Sequence, residues 1–155
     1  MKTFVICFPL LFLLVQCTLS AQQEAALNSS LSKYIMARND CQVVGLVGFT
    51  YPELVKDFKN VSDSAFQYKF DCDKNQDYYF AIQNATLRST SKSNSNIHVL
   101  YEFDGYGERN DEFQKRNFKL VAISENDGEN WFFMPWTDYT NDTLCKNFKR
   151  LITNE

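Results

Sequence analysis

The spacing of apolar residues changes near Asp77 from a helical repeat to a strand repeat, and that change limits the folds open to this chain. Before Asp77 apolar side chains recur every three or four residues, which is typical of helices. After it they alternate with polar ones, which is typical of strands. Helices and strands in separate parts of a chain favour an α+β fold over a wound parallel sheet. The sequence therefore predicts one α+β domain.

The first part of the chain predicts three helices. The first covers residues 24–40. Thr50 and Glu53 have the spacing of a capping box, so a second helix is expected to begin near Thr50. Phe66 and Phe70 suit a short third helix. One apolar stripe of the first helix is formed by Leu27, Leu31, Tyr34, Ile35 and Arg38.

The second part predicts an antiparallel sheet followed by a carboxy-terminal helix. The polar stretch 89–96 predicts a loop, and Asp104-Gly105 and Asp127-Gly128 predict turns. A last helix is expected from about Thr140, with an apolar stripe of Leu144, Phe148, Leu151 and Ile152. Alternation predicts strands over residues 77–83 and 97–103. A third strand is expected over 113–124, which ends in the apolar run Leu120–Ile123, and the Asp127-Gly128 hairpin signal predicts the returning strand over 131–136.

The amino terminus has the order of a secretory signal peptide. Residues 1–21 contain a short positive region, then an apolar run too short to cross a bilayer. Small residues follow at Thr18, Ser20 and Ala21, as at a signal peptidase cleavage site. Cleavage after Ala21 would leave residues 22–155 as a single domain. Lipid attachment at Cys17 is an alternative. We expect a periplasmic or extracellular protein whose mature chain has no membrane-spanning segment.

Charge and motifs exclude several classes of function. The net charge of −3 provides no basic field for a nucleic acid. No Cys-x-x-Cys motif or His/Cys cluster predicts a metal site, and no glycine-rich phosphate loop predicts a cofactor. Cys41, Cys72 and Cys145 remain after the signal, so at most one internal disulfide is expected, with three pairings open.

Two segments resemble a set of uncharacterised exported bacterial proteins. One is Phe49–Val55, with its Thr-x-Pro-x-Leu-Val pattern. The other is Leu120–Phe133, in which an apolar strand, an acidic-Gly turn and Trp-Phe-Phe follow one another. The order of elements is similar to the nuclear-transport-factor-2-like (SnoaL-like) superfamily, in which amino-terminal helices pack into the concave face of a curved antiparallel sheet. The resemblance implies a cone-like fold and brings no catalytic residues.

The aromatic strands supply the candidate ligand-binding residues. A small apolar ligand needs a mostly apolar pocket, and the side chains expected to line it are Tyr79, Tyr101, Trp131 and Phe133. The run Trp131–Met134 is apolar throughout, so its second face needs cover from a helix, a partner subunit or a ligand. We therefore predict an exported, non-enzymatic protein that binds a small apolar ligand or a partner. A homodimer formed through the sheet face is an alternative.

A second alternative is an enzyme of the hydratase or isomerase kind. Such an enzyme needs an acid or histidine base within reach of its substrate. The candidates are His98, Asp104 and Tyr79, none of which stands in a catalytic motif. His98 lies on the strand face opposite Ile97 and Val99, and we expect it to be an exposed sheet histidine.

Overall fold

The computed structural model describes residues 18–70, 79–81, 85–109 and 112–141. They form the predicted α+β fold, with amino-terminal helices, a curved antiparallel sheet and a short helix after the sheet. The predicted helix stripe from Leu144 onward lies outside these residues. The elements in chain order are α1 (Ala21–Asn39), α2 (Val43–Phe49), α3 (Pro52–Val61), α4 (Asp63–Phe70), β1 (Tyr79–Phe80), β2 (Thr86–Ser93), β3 (Asn96–Arg109), β4 (Glu112–Ser124), β5 (Phe132–Pro135) and α5 (Trp136–Asn141).

Helix α1 begins earlier than the sequence predicts, because Ser20 caps it. The Ser20 hydroxyl accepts a hydrogen bond from the Gln23 backbone, and the Gln23 side chain accepts one from the Ser20 backbone. Leu19 packs against the core. Three residues of the predicted signal peptide, Leu19, Ser20 and Ala21, thus take part in the fold, while the cleavage site stays a prediction. The predicted stripe is confirmed, since Leu27, Leu31, Tyr34 and Ile35 are buried.

The predicted capping box at Thr50 is wrong. The seven-residue helix α2, which the sequence analysis did not predict, ends there, and the Thr50 hydroxyl donates back to the Leu46 carbonyl at 2.8 Å. Helix α3 begins at Pro52 without a side-chain cap. Between the helices, Thr50 bridges Phe133 in parallel, and the Tyr51 N–H donates to the Phe133 carbonyl at 2.9 Å. This contact covers the edge of β5, which explains why the chain interrupts its helices there.

The sheet is built on the long pair of β3 and β4, whose register extends from Ile97 opposite Ser124 to Arg109 opposite Glu112. Strand β5 pairs with the other edge of β4. Strands β1 and β2 share the free edge of β3, with β1 beside Gly105 and β2 beside the earlier residues.

The stretch 89–96, predicted to be a loop, is mostly strand. Strand β2 pairs with β3 as far as Ser93, and only Asn94 and Ser95 turn, with Asn94 at φ 55°. Most β2 side chains are wholly or partly exposed, so the polar composition is that of an edge strand and not of a loop. Hydrogen bonds to β3 hold the strand in place, although it has no apolar face.

The turn predicted at Asp104-Gly105 is also wrong, because β3 continues through both residues to Arg109. A side chain at position 105 would bring its Cβ to 2.4 Å from the Phe118 ring and 3.2 Å from the Phe80 ring. The glycine therefore serves close packing inside a strand. The turn at Asp127-Gly128 is confirmed, with φ of 57° and 87° at these two residues.

Helices cover both faces of the sheet. On one face α1 packs against alternate residues of β3, namely Ile97, Val99, Tyr101 and Phe103. On the other, Tyr51 and Leu54 pack with the opposite side of the sheet. We call these the α1 face and the α3 face. Members of the α3 face include Leu100, Val121, Ile123, Met134 and Tyr139. The second side of the Trp131–Met134 run is thus covered by the chain's own helices α3 and α5.

Candidate binding site

A cavity of about 530 Å³ opens at one end of the sheet. This volume lies within the range of small-molecule sites, about 300–1,000 Å³. Helices α1, α4 and α5 and strands β1, β3, β4 and β5 all contribute to its wall. The lining residues are Tyr34, Arg38, Lys69, Phe80, Phe103, Asn117, Phe118, Lys119, Leu120, Pro135, Trp136 and Thr137.

The cavity lies where the pairing of β4 and β5 stops. The ladder between these strands covers Leu120 to Ile123, and Pro135, opposite Leu120, is the last residue of β5. Proline has no N–H to extend a ladder, and the chain turns into α5 at Trp136. Strand β4 continues beyond this point without β5. The sequence correctly predicted that Pro135 ends the pairing, but not that a cavity results.

Asn39 fixes the position of Phe80 at the cavity wall. Its side-chain amide donates to the Phe80 carbonyl and accepts from the Phe80 N–H, both at 3.0 Å. The amide thereby makes the two bonds that a neighbouring strand would make to this residue. The Arg38 guanidinium lies over the Phe80 ring, 4.3 Å from its centre. This cation–π contact holds the cation against an aromatic wall.

Three cations line the cavity, and the described lining residues include no carboxylate. Lys69 is paired with Asp138 at 2.6 Å, and Lys119 with Glu102 at 3.0 Å. Arg38 differs from both lysines. Within the described part of the chain it has no ion pair, and its buried Nε has no hydrogen-bond partner.

Tyr34 connects the cavity wall to the core. Its ring stacks on Phe133, with ring centres 4.9 Å apart. Burial raises the pKa of Tyr34, and the nearby Asp138 adds to this effect, while Arg38 opposes it. The phenol is therefore held in its neutral form, which is able to donate a hydrogen bond.

Three of the four predicted ligand-binding residues lie in the core and not in the cavity lining. Phe133 is behind Tyr34, Tyr101 is buried on the α1 face, and the Trp131 indole donates to the Gly128 carbonyl at 3.0 Å. Burial raises the pKa of Tyr101 to about 12. The backbone of Tyr79 is in β1, but its side chain lies outside what the structure describes.

The expectation that His98 is exposed is wrong. Its side chain is 4% exposed on the α3 face, and its Nδ1 lies 3.1 Å from the Tyr139 hydroxyl. Burial lowers the pKa of His98 to about 4, so the ring is neutral at pH 7. The sequence suggested exposure because alternation identified the opposite face as apolar. It gave no sign that α3 and α5 cover this face too.

The catalytic candidates are not brought together at the cavity. Asp104 is ion-paired with Lys115 at 2.8 Å, and this hydrogen bond raises the pKa of Lys115. Neither Asp104 nor His98 belongs to the cavity lining. Within the described ranges, no group of three or more His, Cys, Asp or Glu residues could hold a metal ion. Cys72 and Cys145 lie outside the described residues, so the predicted single disulfide stays a prediction.

Arg38 is the functional candidate that the sequence analysis missed. It was counted in the apolar stripe of α1, where a charged residue does not belong. A cation at a core-facing position of an amphipathic helix was the available signal. What the sequence did not reveal is that its guanidinium faces a cavity and stacks on Phe80.

No family model matches the chain, and neither a curated protein nor a solved structure is significantly similar to it. The resemblance to exported bacterial proteins and to the nuclear-transport-factor-2-like cone therefore stays a prediction. Among the helices that the structure describes, none combines the length and hydrophobicity needed to cross a membrane.

Proposed function

We propose that this protein is an exported, non-enzymatic binder of a small apolar ligand, and that the ligand occupies the cavity at the open end of the sheet. The cavity itself is the observation that carries the proposal. Its volume, about 530 Å³, suits a small molecule. Its wall includes five aromatic side chains, from Tyr34, Phe80, Phe103, Phe118 and Trp136.

The shape of the wall supports binding in a defined orientation. Helix α1 and strands β3 and β4 pack around Phe103, while Asn39 hydrogen-bonds the backbone of Phe80. Sites built on helices and strands hold their ligands with little reorganisation, which lowers the entropic cost of binding. Polar side chains at the rim, such as Asn117 and Thr137, are suited to orient a ligand.

Native mass spectrometry of the full chain, exported by a bacterial host and recovered without refolding, tests the proposal. A retained small-molecule mass that organic solvent removes is the expected result. The same spectra report the amino-terminal residue, which tests export and cleavage after Ala21. An apo mass, together with no binding of decanoate or decanol in solution, would overturn the proposal.

A blocking variant locates the ligand. Asn117 is an exposed strand residue at the cavity wall, so Asn117→Trp should fill the opening and lower affinity. Thr86→Trp is the matched control, because Thr86 is an exposed strand residue outside the lining. Equal affinity in the two variants would place the ligand elsewhere.

The two alternatives remain hypotheses with less support. A hydratase-like or isomerase-like reaction would need His98 or Asp104 beside the ligand, but both residues have protein partners away from the cavity lining. A homodimer formed through the sheet would need an exposed sheet face. Beside β5 the chain's own helices α3 and α5 already cover the α3 face. Sedimentation equilibrium of the exported chain measures the subunit count directly.

A further inference from the structure

We propose that the ligand is an apolar monocarboxylate, with its carboxylate on Arg38 and its hydrocarbon or aryl body against the aromatic wall. This inference rests on the proposed function and adds the chemical class of the ligand. It follows from an imbalance in the charges around the cavity, from the geometry of one guanidinium and from the polarity of the surrounding wall.

The charge balance of the wall favours an anion. Lys69 and Lys119 each have a carboxylate partner from a residue outside the lining, at 2.6 Å and 3.0 Å. Arg38 takes part in none of the ion pairs among the described residues, and its Nε has no hydrogen-bond partner there. A partly buried cation is costly unless a counter-charge neutralises it. Because the described chain supplies none, an anionic ligand is the group that would complete the site.

The guanidinium geometry selects a carboxylate. Arginine presents a planar fork of N–H donors that matches the two oxygens of a carboxylate. The contact with Phe80 restricts the position of this fork, and Asn39 hydrogen-bonds the backbone of Phe80 in turn. The Nε of the same guanidinium is buried and unmet, so the two terminal nitrogens are the donors offered to a carboxylate in the cavity. Lysine, a compact point charge, would lack this directional match.

The rest of the wall requires an apolar body. Phe103, Phe118 and Leu120 belong to the α1 face or pack against it, and they present apolar surface to the cavity. The neutral Tyr34 phenol adds one donor near Arg38. A small hydrophilic anion would leave the aromatic surface without contact, so the wall favours a carboxylate that carries a hydrocarbon chain or ring.

Calorimetric titration of the full chain with three probes of equal chain length tests the class: decanoate, 1-decanol and decylamine. We expect decanoate to bind about tenfold or more tightly than decanol, because hydrogen bonds to charged groups are worth more than neutral ones. Decylamine should bind most weakly. Added salt should weaken decanoate binding and leave decanol binding unchanged.

Variants at position 38 assign the preference to its guanidinium. Arg38→Met keeps an apolar stem and should remove the tenfold preference while decanol affinity stays within about twofold. Arg38→Lys keeps the charge and loses the fork, so we expect it to retain only part of the preference. Lys33→Met is the matched control, because Lys33 is an exposed cation on the same helix. Thermal unfolding confirms that each variant is folded.

The outcomes separate this inference from the proposed function. Equal affinity for decanoate and decanol would overturn the inference and leave the binding function standing. Binding of none of the probes, with an apo mass in the native spectrum, would overturn both. A decanoate preference that Arg38→Met leaves intact would overturn the assignment to Arg38. If Arg38→Met does not fold, Arg38→Lys and the salt dependence of the wild-type chain still decide the question.

Discussion

The α1 face of the sheet contributes Phe103 and Leu120 to a cavity, whereas on the α3 face His98 is buried beneath helices α3 and α5. Each face meets a polar group whose environment the sequence did not reveal. On the α3 face His98 finds its partner inside the fold, in the Tyr139 hydroxyl. On the α1 face the Nε of Arg38 finds none in the described chain. Burial of a polar residue therefore does not by itself mark a site; at Arg38 a missing partner coincides with the wall of a cavity.

The largest expected effect comes from truncating adjacent residues of β5 that point to opposite faces. Phe133 and Met134 are both fully buried. Phe133→Ala should lower the free energy of unfolding by about 3–5 kcal/mol, and Met134→Ala by about 2–5 kcal/mol. Only Phe133 stacks on Tyr34 at the cavity wall, so only its truncation should also weaken decanoate binding. Urea unfolding and calorimetry measure both quantities, and equal losses of affinity would contradict the separation of the faces.

The second prediction concerns pH and the α3 face alone. Burial lowers the pKa of His98 from 6.5 to about 4, so the unfolded chain binds a proton more readily than the folded chain. The stability that depends on neutral His98 is complete above pH 6.5 and is lost as the pH falls toward 4. The expected slope is about 1.4 kcal/mol per pH unit within this window.

The single histidine makes this pH test specific. His98→Gln should remove that part of the pH dependence, because no other histidine is present in the sequence. Hydrogen bonds to Lys119 and Arg88 lower the pKa of Glu102. Protonation of the Glu102 carboxylate at low pH therefore also destabilises the fold. Both proteins contain Glu102, so its contribution cancels in the difference. Parallel stability curves for the two proteins would show that His98 is not responsible.

A glycine pair tests the packing behind the cavity. Gly105→Ala places a Cβ against Phe118 and Phe80, and both rings line the cavity. Overpacking of this kind costs about 1–3 kcal/mol, and the displaced rings should also change decanoate affinity. Gly48→Ala is the control, because a Cβ there meets no atom within 4 Å. In helix α2 that substitution should stabilise by about 0.5–1 kcal/mol. A neutral Gly105→Ala would contradict the packing role.

The smallest effect is expected at the start of α1. Ser20→Ala removes the side-chain acceptor of the capping box and should cost about 1 kcal/mol in the uncleaved chain. If export cleaves after Ala21, the substitution is removed with the signal and the mature protein should show no change. Thermal unfolding of the two forms, with amino-terminal sequencing, distinguishes the cases.

Features set by local spacing were predicted correctly. The stripe of α1 follows from the helical repeat, strand β4 from the apolar run Leu120–Ile123 before a hairpin signal, and the Asp127-Gly128 turn from residues that tolerate positive φ. Pro135 ends β5 because its ring leaves no N–H to donate. In each case the cause lies within a few residues of the feature, so the sequence alone determined it.

Tertiary structure decided the features that depend on distant partners. Polar β2 is a strand because β3 lies beside it. Gly105 lies in a strand because β3 pairs with β4 there, and it is a glycine because Phe118 leaves no room for a Cβ. His98 is buried because α3 and α5 cover its face. The cavity forms where α1, β1 and the end of β5 meet, and this meeting places the Arg38 guanidinium in its wall. Such contacts join residues far apart in the chain, and no local repeat encodes them.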